Sequence, residues 1–416
     1  MLHQKNLYDI SFLDAVQYAA GNEIIIRGPA PLAGLSYDNE LGIKQKAFED
    51  FIRRTKVAGN YEPIIPSPFR RHYRTTTKRR VVFASGNIQF RMAEGSGDFP
   101  DQDRNEAQLE PKQHGEIYGF LRKKLNEPVF VPVGKRCNYL IIRGSYKEFC
   151  VIFNMHQLDG SIVRRIKGLA DQLQKLDLNI ISSFIVSDPS RSRYYLDKRD
   201  VGSRQPVKKL FGPDTLRFAT DDCTYLYEAT SFSQVNQSMV PLMLKKAGQL
   251  LAMQDPAHKT MRLIDLFCGY GLFTLYLGRY FGEVFGIDSE AGALNRARDS
   301  IAHCKEFSRP TKVRFTSGQI TAHVLETVLP VHGDRGEVIV LDPPRMGAEK
   351  GVIGAIAFRN PAKVLHIFCN VDLLPVDLEQ WKRLGYHATH IVPLDMFPGT
   401  PHLEVLVLLE PRQSGK

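Results

Sequence analysis

The chain lacks any pair of cysteines at the spacing of a metal or redox motif. Its six cysteines, Cys137, Cys150, Cys223, Cys268, Cys304 and Cys369, are scattered through 416 residues with no C-x-x-C among them. That excludes a zinc ribbon and a dense disulfide framework, so free thiols in a reducing, cytoplasmic compartment are expected. No stretch approaches the ~18 consecutive apolar residues of a membrane span, and the N-terminal MLHQKNLYDISFLDAV lacks the basic-then-apolar order of a signal peptide. Asp9 and Asp14 argue against an organelle transit peptide, and no membrane partner is expected. Internal repeats and low-complexity tracts are missing too. Acidic residues are absent between Glu62 and Glu94, where Arg70, Arg71, Arg74, Lys78, Arg79, Arg80 and Arg91 fall among Phe69, His72, Tyr73 and Phe90. With a net charge of +10, this window points to a polyanion met through phosphate charge and stacked bases. The other reading of it is a solvated strand edge guarded by charge.

With 43% hydrophobic residues, the chain can fill two or three cores, given domains of roughly 100–200 residues. Residues 37–56, YDNELGIKQKAFEDFIRRTK, have helical spacing, with Leu41, Phe48, Phe51 and Ile52 as core positions. Pro63, Pro66 and Pro68 break that pattern. RTTTKRRVVFAS, GNIQFRMA, NYLIIRG and EFCVIFNMH then read as strands, with Gly86-Asn87 as a hairpin turn. LDGSIVRRIKGLADQLQKL reads as a helix, followed by the apolar run IISSFIV and a polar, Arg-rich segment to Arg204. Three units are expected: an N-terminal segment with its helix over 1–60, a mixed α/β substrate-binding domain over 61–230, and a third domain over 231–416. In the last, RLIDLF, EVFGID, KVRFTS, EVIVLD, KVLHIF, THIVPL and LEVLVLL alternate with helical stretches, which predicts a parallel, doubly wound sheet. The tail PRQSGK is expected to fray.

Four features carry candidate chemistry. In DLFCGYG, residues 265–271 end an apolar strand and open a helix, and Gly269 and Gly271 let the backbone approach a ligand. Asp288 closes the next strand about 20 residues later, where an acid binds both hydroxyls of a ribose. Together they specify an adenosine-bearing cofactor. Because Phe273, Thr274 and Leu275 follow Gly271, the nicotinamide fingerprint G-x-G-x-x-G is incomplete, which favours S-adenosylmethionine. Asp342-Pro343-Pro344-Arg345 follows the strand EVIVL, at the carboxyl end where open α/β sheets bind ligands. Cys369 ends the next strand as a candidate nucleophile, and Glu404, in FPGTPHLEV, is a candidate base with His402 positioning its loop. Taken singly, a buried cysteine is more often a small hydrophobe, and a glutamate entering a strand is more often solvated. His387 and His390 have no Cys or acidic partner nearby and are read as surface or core residues, so no metal is expected.

SFSQVNQ, DLFCGYG, DPPR, FCN and DMFPGTPHLE stand in the order and spacing of the RNA 5-methyluridine methyltransferases, which the chain resembles over roughly residues 225–416. The resemblance implies a seven-stranded Rossmann-like methyltransferase domain and methylation of uridine carbon 5 in tRNA or rRNA. Matched position by position, Gln234, Phe267, Asp288 and Asp342 would contact the cofactor, and Phe232 would lie beside the target base. Cys369 would be the nucleophile and Glu404 the general base. Arg345 would bind phosphate or polarise a uracil carbonyl, and Arg70, Arg71 and Arg74 would hold RNA outside the pocket. The acid expected after the third strand is not evident around Gly318-Gln319. Leu272, Phe368 and Val371 replace the family's usual asparagine, serine and proline, which leaves a catalytically impaired RNA-binding paralogue as the alternative. PLAGLSYDNELGIKQK resembles the segment after the iron–sulfur site of the ribosomal members, yet no cysteine precedes Cys137, so no cluster is expected. The missing cluster and the lack of room before residue 33 for a complete small β-barrel favour the transfer-RNA branch. A monomer is expected.

Overall fold

The computed structural model describes residues 11–21, 28–92, 107–191, 207–305, 312–329 and 336–412. The Arg-rich segment before Arg204 and the tail beyond residue 412 lie outside them. No helix among the described residues is long and apolar enough to cross a membrane.

Two sheets organise the molecule. The strands are β1 (Asn60–Tyr61), β2 (Thr77–Ala84), β3 (Asn87–Met92), β4 (Cys137–Gly144), β5 (Phe149–Met155), β6 (Ile180–Ser187), β7 (Val207–Phe211), β8 (Thr215–Ala219) and β9 (Thr224–Glu228). They continue with β10 (Arg262–Leu266), β11 (Glu283–Asp288), β12 (Lys312–Ser317), β13 (Glu337–Leu341), β14 (Lys363–Phe368), β15 (Tyr386–Leu394) and β16 (Glu404–Pro411). The larger sheet has eight strands in the order β1-β15-β16-β14-β13-β10-β11-β12, the smaller has six in the order β3-β2-β4-β5-β6-β7, and β8 and β9 form a separate hairpin. Strands β10 to β14 run parallel, while β16 is antiparallel to both neighbours. The seven strands expected after Thr230 are all present in the α/β sheet. The eighth, β1, comes from the N-terminal segment, and its two exposed residues show no alternation that would mark a strand.

The period of two along each strand sorts the cores. Leu263, Val338, Leu365 and Leu406 face a core shared with Ile141 and Ile152 of the smaller sheet, Tyr225 and Tyr227 of the hairpin, and the helix Val240–Leu250. Their neighbours Ile264, Ile339, Val364 and Val405 face the other way, against Phe48, Phe51 and Trp381. The helix Tyr37–Thr55 therefore packs on the larger sheet. Its entry is capped by Ser36, whose hydroxyl accepts from the Asn39 N–H, with Asp38 and Glu40 in the first turn and Arg53 and Arg54 in the last. On the far face of the smaller sheet, Leu140, Val151 and Phe153 meet the helices Lys112–Leu125 and Gly160–Leu173.

Two of the six thiols depart from expectation, while Cys137, Cys150, Cys268 and Cys369 are free. Cys223 and Cys304 are joined as a disulfide, across an isolated antiparallel bridge. The chain runs beside itself there, the Thr224 N–H donating to His303 O at 3.2 Å and the Lys305 N–H to Asp222 O at 2.8 Å. A sequence separation of 81 residues hides that pairing from any local pattern.

Candidate active site

Register places the candidate residues on one rim. Leu266 of β10 pairs with Ile287 and Leu341, and Leu341 pairs with His366 of β14, so the residues just beyond emerge side by side at the carboxyl ends of the strands. Strand β16 returns antiparallel with Val405 opposite Phe368, which sets Glu404 beside Cys369. A cleft of about 840 Å³ opens at this rim. Phe267, Gly269 and Asp288 line it, as do Asp342, Arg345, Cys369 and Glu404, together with Phe232, Gln234 and Arg74 from earlier in the chain.

The glycine turn is held by an acid. The Asp288 carboxylate accepts the Gly269 N–H at 2.9 Å and the Glu290 N–H at 2.7 Å, tying the end of β11 to the loop after β10. Phe267 has a φ of +63°, a conformation that costs a residue with a Cβ. Gly271 has a φ of +85°, and a Cβ there would stand 3.0 Å from Ala297 Cβ, so it serves the turn and the helix packing behind the cleft. Asp265 is fully buried and accepts the Thr274 hydroxyl, and burial pushes it up to about 7. Its Oδ1 has no hydrogen-bond partner among the described residues.

At the candidate nucleophile, charges oppose one another. Burial pushes the half-buried Cys369 thiol up to about 12, the Glu404 and Asp342 carboxyls push the same way, and Arg345 alone among these neighbours favours the thiolate. Cys369 Sγ lies 3.9 Å from Pro343 O. Glu404 is raised by burial and pulled back by Arg345, while Asp342 is raised by desolvation and then by the charge of Glu404. A carboxyl held partly protonated near neutrality can take up a proton in a reaction and release it again.

The acid-free window divides on folding. Arg74 lines the cleft, and Arg70 is exposed with its guanidinium 5.1 Å from the centre of the Tyr37 ring. Arg71 instead is an internal clamp, donating to Glu40 Oε2 at 2.9 Å and to the carbonyls of Ala33 and Leu35, both at 3.0 Å. Arg79 is buried against Glu110 at 2.7 Å. Both acids lie outside the window in sequence, so the absence of acids within it did not leave its arginines unpaired. His402 is exposed, and its main-chain N–H donates to Thr400 Oγ1 at 3.3 Å. Sequence reasoning missed Ser289, Glu290, Ile320 and Phe397 in the cleft wall. Phe397 sits inside the quoted DMFPGTPHLE and could have been read there, whereas Ile320 carries no local signal.

A family model for tRNA (uracil-5-)-methyltransferase matches residues 147–412, which takes in the smaller sheet from β5 onward and nearly all of the larger one. The chain belongs to this family. Among its relatives, an uncharacterized RNA methyltransferase of Oceanobacillus iheyensis is 24% identical over 405 residues, covering 93% of this chain and 82% of that protein. One from Listeria innocua is 24% identical over 400 residues, covering 92% and 81%. Of solved structures, the Pyrococcus abyssi tRNA (uracil-54, C5)-methyltransferase in complex with S-adenosyl-L-homocysteine shares the fold with a TM-score of 0.67 at 22% identity, over 92% of this chain and 85% of that one.

Proposed function

We propose that this family member methylates carbon 5 of a uridine in tRNA, with S-adenosylmethionine as methyl donor, Cys369 as nucleophile and Glu404 as base. The observation that carries the reading is the register between β14 and β16, which sets a thiol beside a buried carboxyl at the rim of the cleft. The cleft suits the donor: Asp288 and Asp342 offer carboxyl oxygens to ribose hydroxyls and cationic groups, Phe267, Ala293 and Ile320 offer apolar surface to adenine, and about 840 Å³ leaves room for a base as well. Bound S-adenosylmethionine supplies an electrophilic methyl group on a positively charged sulfur.

Carbon 5 of uracil is a weak nucleophile until something adds at carbon 6. Cys369 as thiolate forms the bond to carbon 6, and the electron pair moves through the ring to an enolate whose carbon 5 takes the methyl group, the methyl–sulfur bond breaking with its electron pair left on the sulfur of S-adenosylhomocysteine. Glu404 then removes the carbon-5 proton, the carbon–sulfur bond breaks, and the thiolate leaves. Arg345 favours the thiolate at the start and faces the negative charge that develops on the ring. A stacked uridine must first leave its stack, at a cost of a few kcal/mol, and the exposed Phe232 ring at the cleft offers it a stacking surface. RNA outside the cleft is assigned to the smaller-sheet unit within 61–230.

The test is incubation with methyl-labelled S-adenosylmethionine and unmodified tRNA or rRNA, beside Cys369→Ala and Glu404→Gln. Label should appear as 5-methyluridine in tRNA, vanish with Cys369→Ala, and become trapped as a protein–RNA adduct with Glu404→Gln. Wild-type protein that binds cofactor and RNA yet yields no 5-methyluridine in either RNA would instead be an impaired RNA-binding paralogue.

A further inference from the structure

The loop that delivers Glu404, residues 395–403 between β15 and β16, is held largely by residues 32–73, far away in sequence. The Leu32 N–H donates to Gly399 O at 3.0 Å, the Asp395 N–H to Ile65 O at 3.0 Å, and the Tyr73 hydroxyl to Pro398 O at 2.9 Å. The centre of the contact is ionic and closed to solvent: Glu40, Lys44 and Asp395 are each 0% exposed. Lys44 Nζ lies 2.9 Å from Glu40 Oε1, 2.7 Å from Asp395 Oδ1 and 3.2 Å from Phe397 O, so each of its three N–H groups has an acceptor. Glu40 Oε1 also accepts the Gly399 N–H at 2.5 Å, and its Oε2 takes Arg71 at 2.9 Å. The Tyr37 hydroxyl donates to Asp395 Oδ2 at 2.9 Å and accepts the Ser67 N–H at 2.7 Å. Gly399, at a φ of +83°, passes so close that a Cβ would stand 2.6 Å from Leu109 Cδ2 and 3.0 Å from Ala33 Cβ.

We infer that Glu40, Lys44 and Tyr37 are positioning residues for the general base, acting through Asp395 and the loop main chain. The inference rests on the reading of Glu404 given above. None of the three lines the cleft, so they touch no reacting atom. A cation and two carboxylates withdrawn from water are a costly way to gain stability, since apolar residues of similar volume often do as well. What the cluster provides is direction: it fixes the main chain at Asp395, Phe397 and Gly399, between the end of β15 and the residue that must reach carbon 5. Cys369 sits just past the end of β14 and Asp288 at the end of β11, outside this loop. Loosening the cluster should therefore impair the step that uses Glu404 and spare those before it.

The experiment uses full-length protein, S-adenosylmethionine and a tRNA transcript carrying tritium at uridine carbon 5, with Lys44→Met, Glu40→Gln and Tyr37→Phe. Tritium release reports the base step, and adduct on a denaturing gel reports attack by Cys369. Lys44→Met should form adduct at the wild-type rate but release tritium about 100-fold more slowly, the cost of a displacement of about an ångström, with KM for tRNA little changed. Tyr37→Phe, which removes one hydroxyl, should slow release about tenfold in the same pattern. Adduct formation and tritium release slowed equally, or both unchanged, would overturn the inference. If Lys44→Met does not fold, Tyr37→Phe and Glu40→Gln decide. Absence of tritium release from wild type would sink the reading of Glu404 itself, and a Glu404→Gln control separates the two failures.

Discussion

Cys369 and Glu404 meet across one strand pairing, and each changes the other's protonation. The carboxylate of Glu404 adds to the burial that keeps the Cys369 thiol protonated, and burial raises Glu404 in turn. The sign for catalysis follows. On the proposed mechanism Glu404 accepts the carbon-5 proton as a carboxylate, so a raised pKa moves the loss of activity on acidification up from the usual carboxylate range towards neutrality. Tritium release followed from preformed adduct, where the Cys369 thiol no longer titrates, should fall about tenfold per pH unit below that midpoint, with no such limb in the residual release by Glu404→Gln. A limb near pH ~4, typical of a solvated glutamate, would contradict the burial argument. Both residues were legible in the sequence because short motifs surround them. Arg71 was misread, because its partner Glu40 lies 31 positions away on a helix that the basic window does not include.

At the scale of elements, the segment from β9 to the helix Val240–Leu250 shows how one buried side chain sets a loop. Arg143 of β4, 1% exposed, donates through Nη1 to Ala229 O at 2.7 Å and Ser231 O at 2.5 Å, and through Nη2 to Ser233 Oγ at 2.7 Å. The loop so held leaves Phe232 58% exposed and Gln234 at 8%. Arg143→Leu leaves those acceptors unpaired and should lower stability by about 3 kcal/mol, read from the urea midpoint, and raise KM for tRNA. A loss under about 1 kcal/mol would show that the loop holds itself. Lysine should not rescue it, since one ammonium cannot reproduce the planar fork. The strand NYLIIRG was evident from its apolar run, but the acceptors of Arg143 lie 86 to 90 positions further on, beyond any local pattern.

For the whole molecule, the count of basic residues in the acid-free window overstates what RNA meets, because Arg71 and Arg79 are engaged with Glu40 and Glu110. Arg70→Gln should weaken tRNA binding and reduce the slope of log affinity against log salt by about 0.7–0.9, the share of one phosphate contact. Arg71→Gln should leave that slope unchanged and lower the melting temperature instead. Equal slopes for both variants, measured by filter binding across a salt series, would contradict the division of the window.

The sequence alone determined the features that local physics writes down. Apolar runs marked the strands, a period of 3.6 marked the helix Tyr37–Thr55, and glycines at 269 and 271 with an acid at 288 marked the turn at the cleft. Tertiary structure decided what depends on which distant segments meet. It set Glu404 beside Cys369 through an antiparallel register, and gathered Glu40, Lys44, Arg71 and Asp395 into one buried cluster. It also joined Cys223 to Cys304 and added β1 to the sheet edge. The reason is range: backbone propensity and side-chain alternation act over a few residues, whereas an ion pair, a disulfide or an edge pairing requires a partner that only the folded chain brings near.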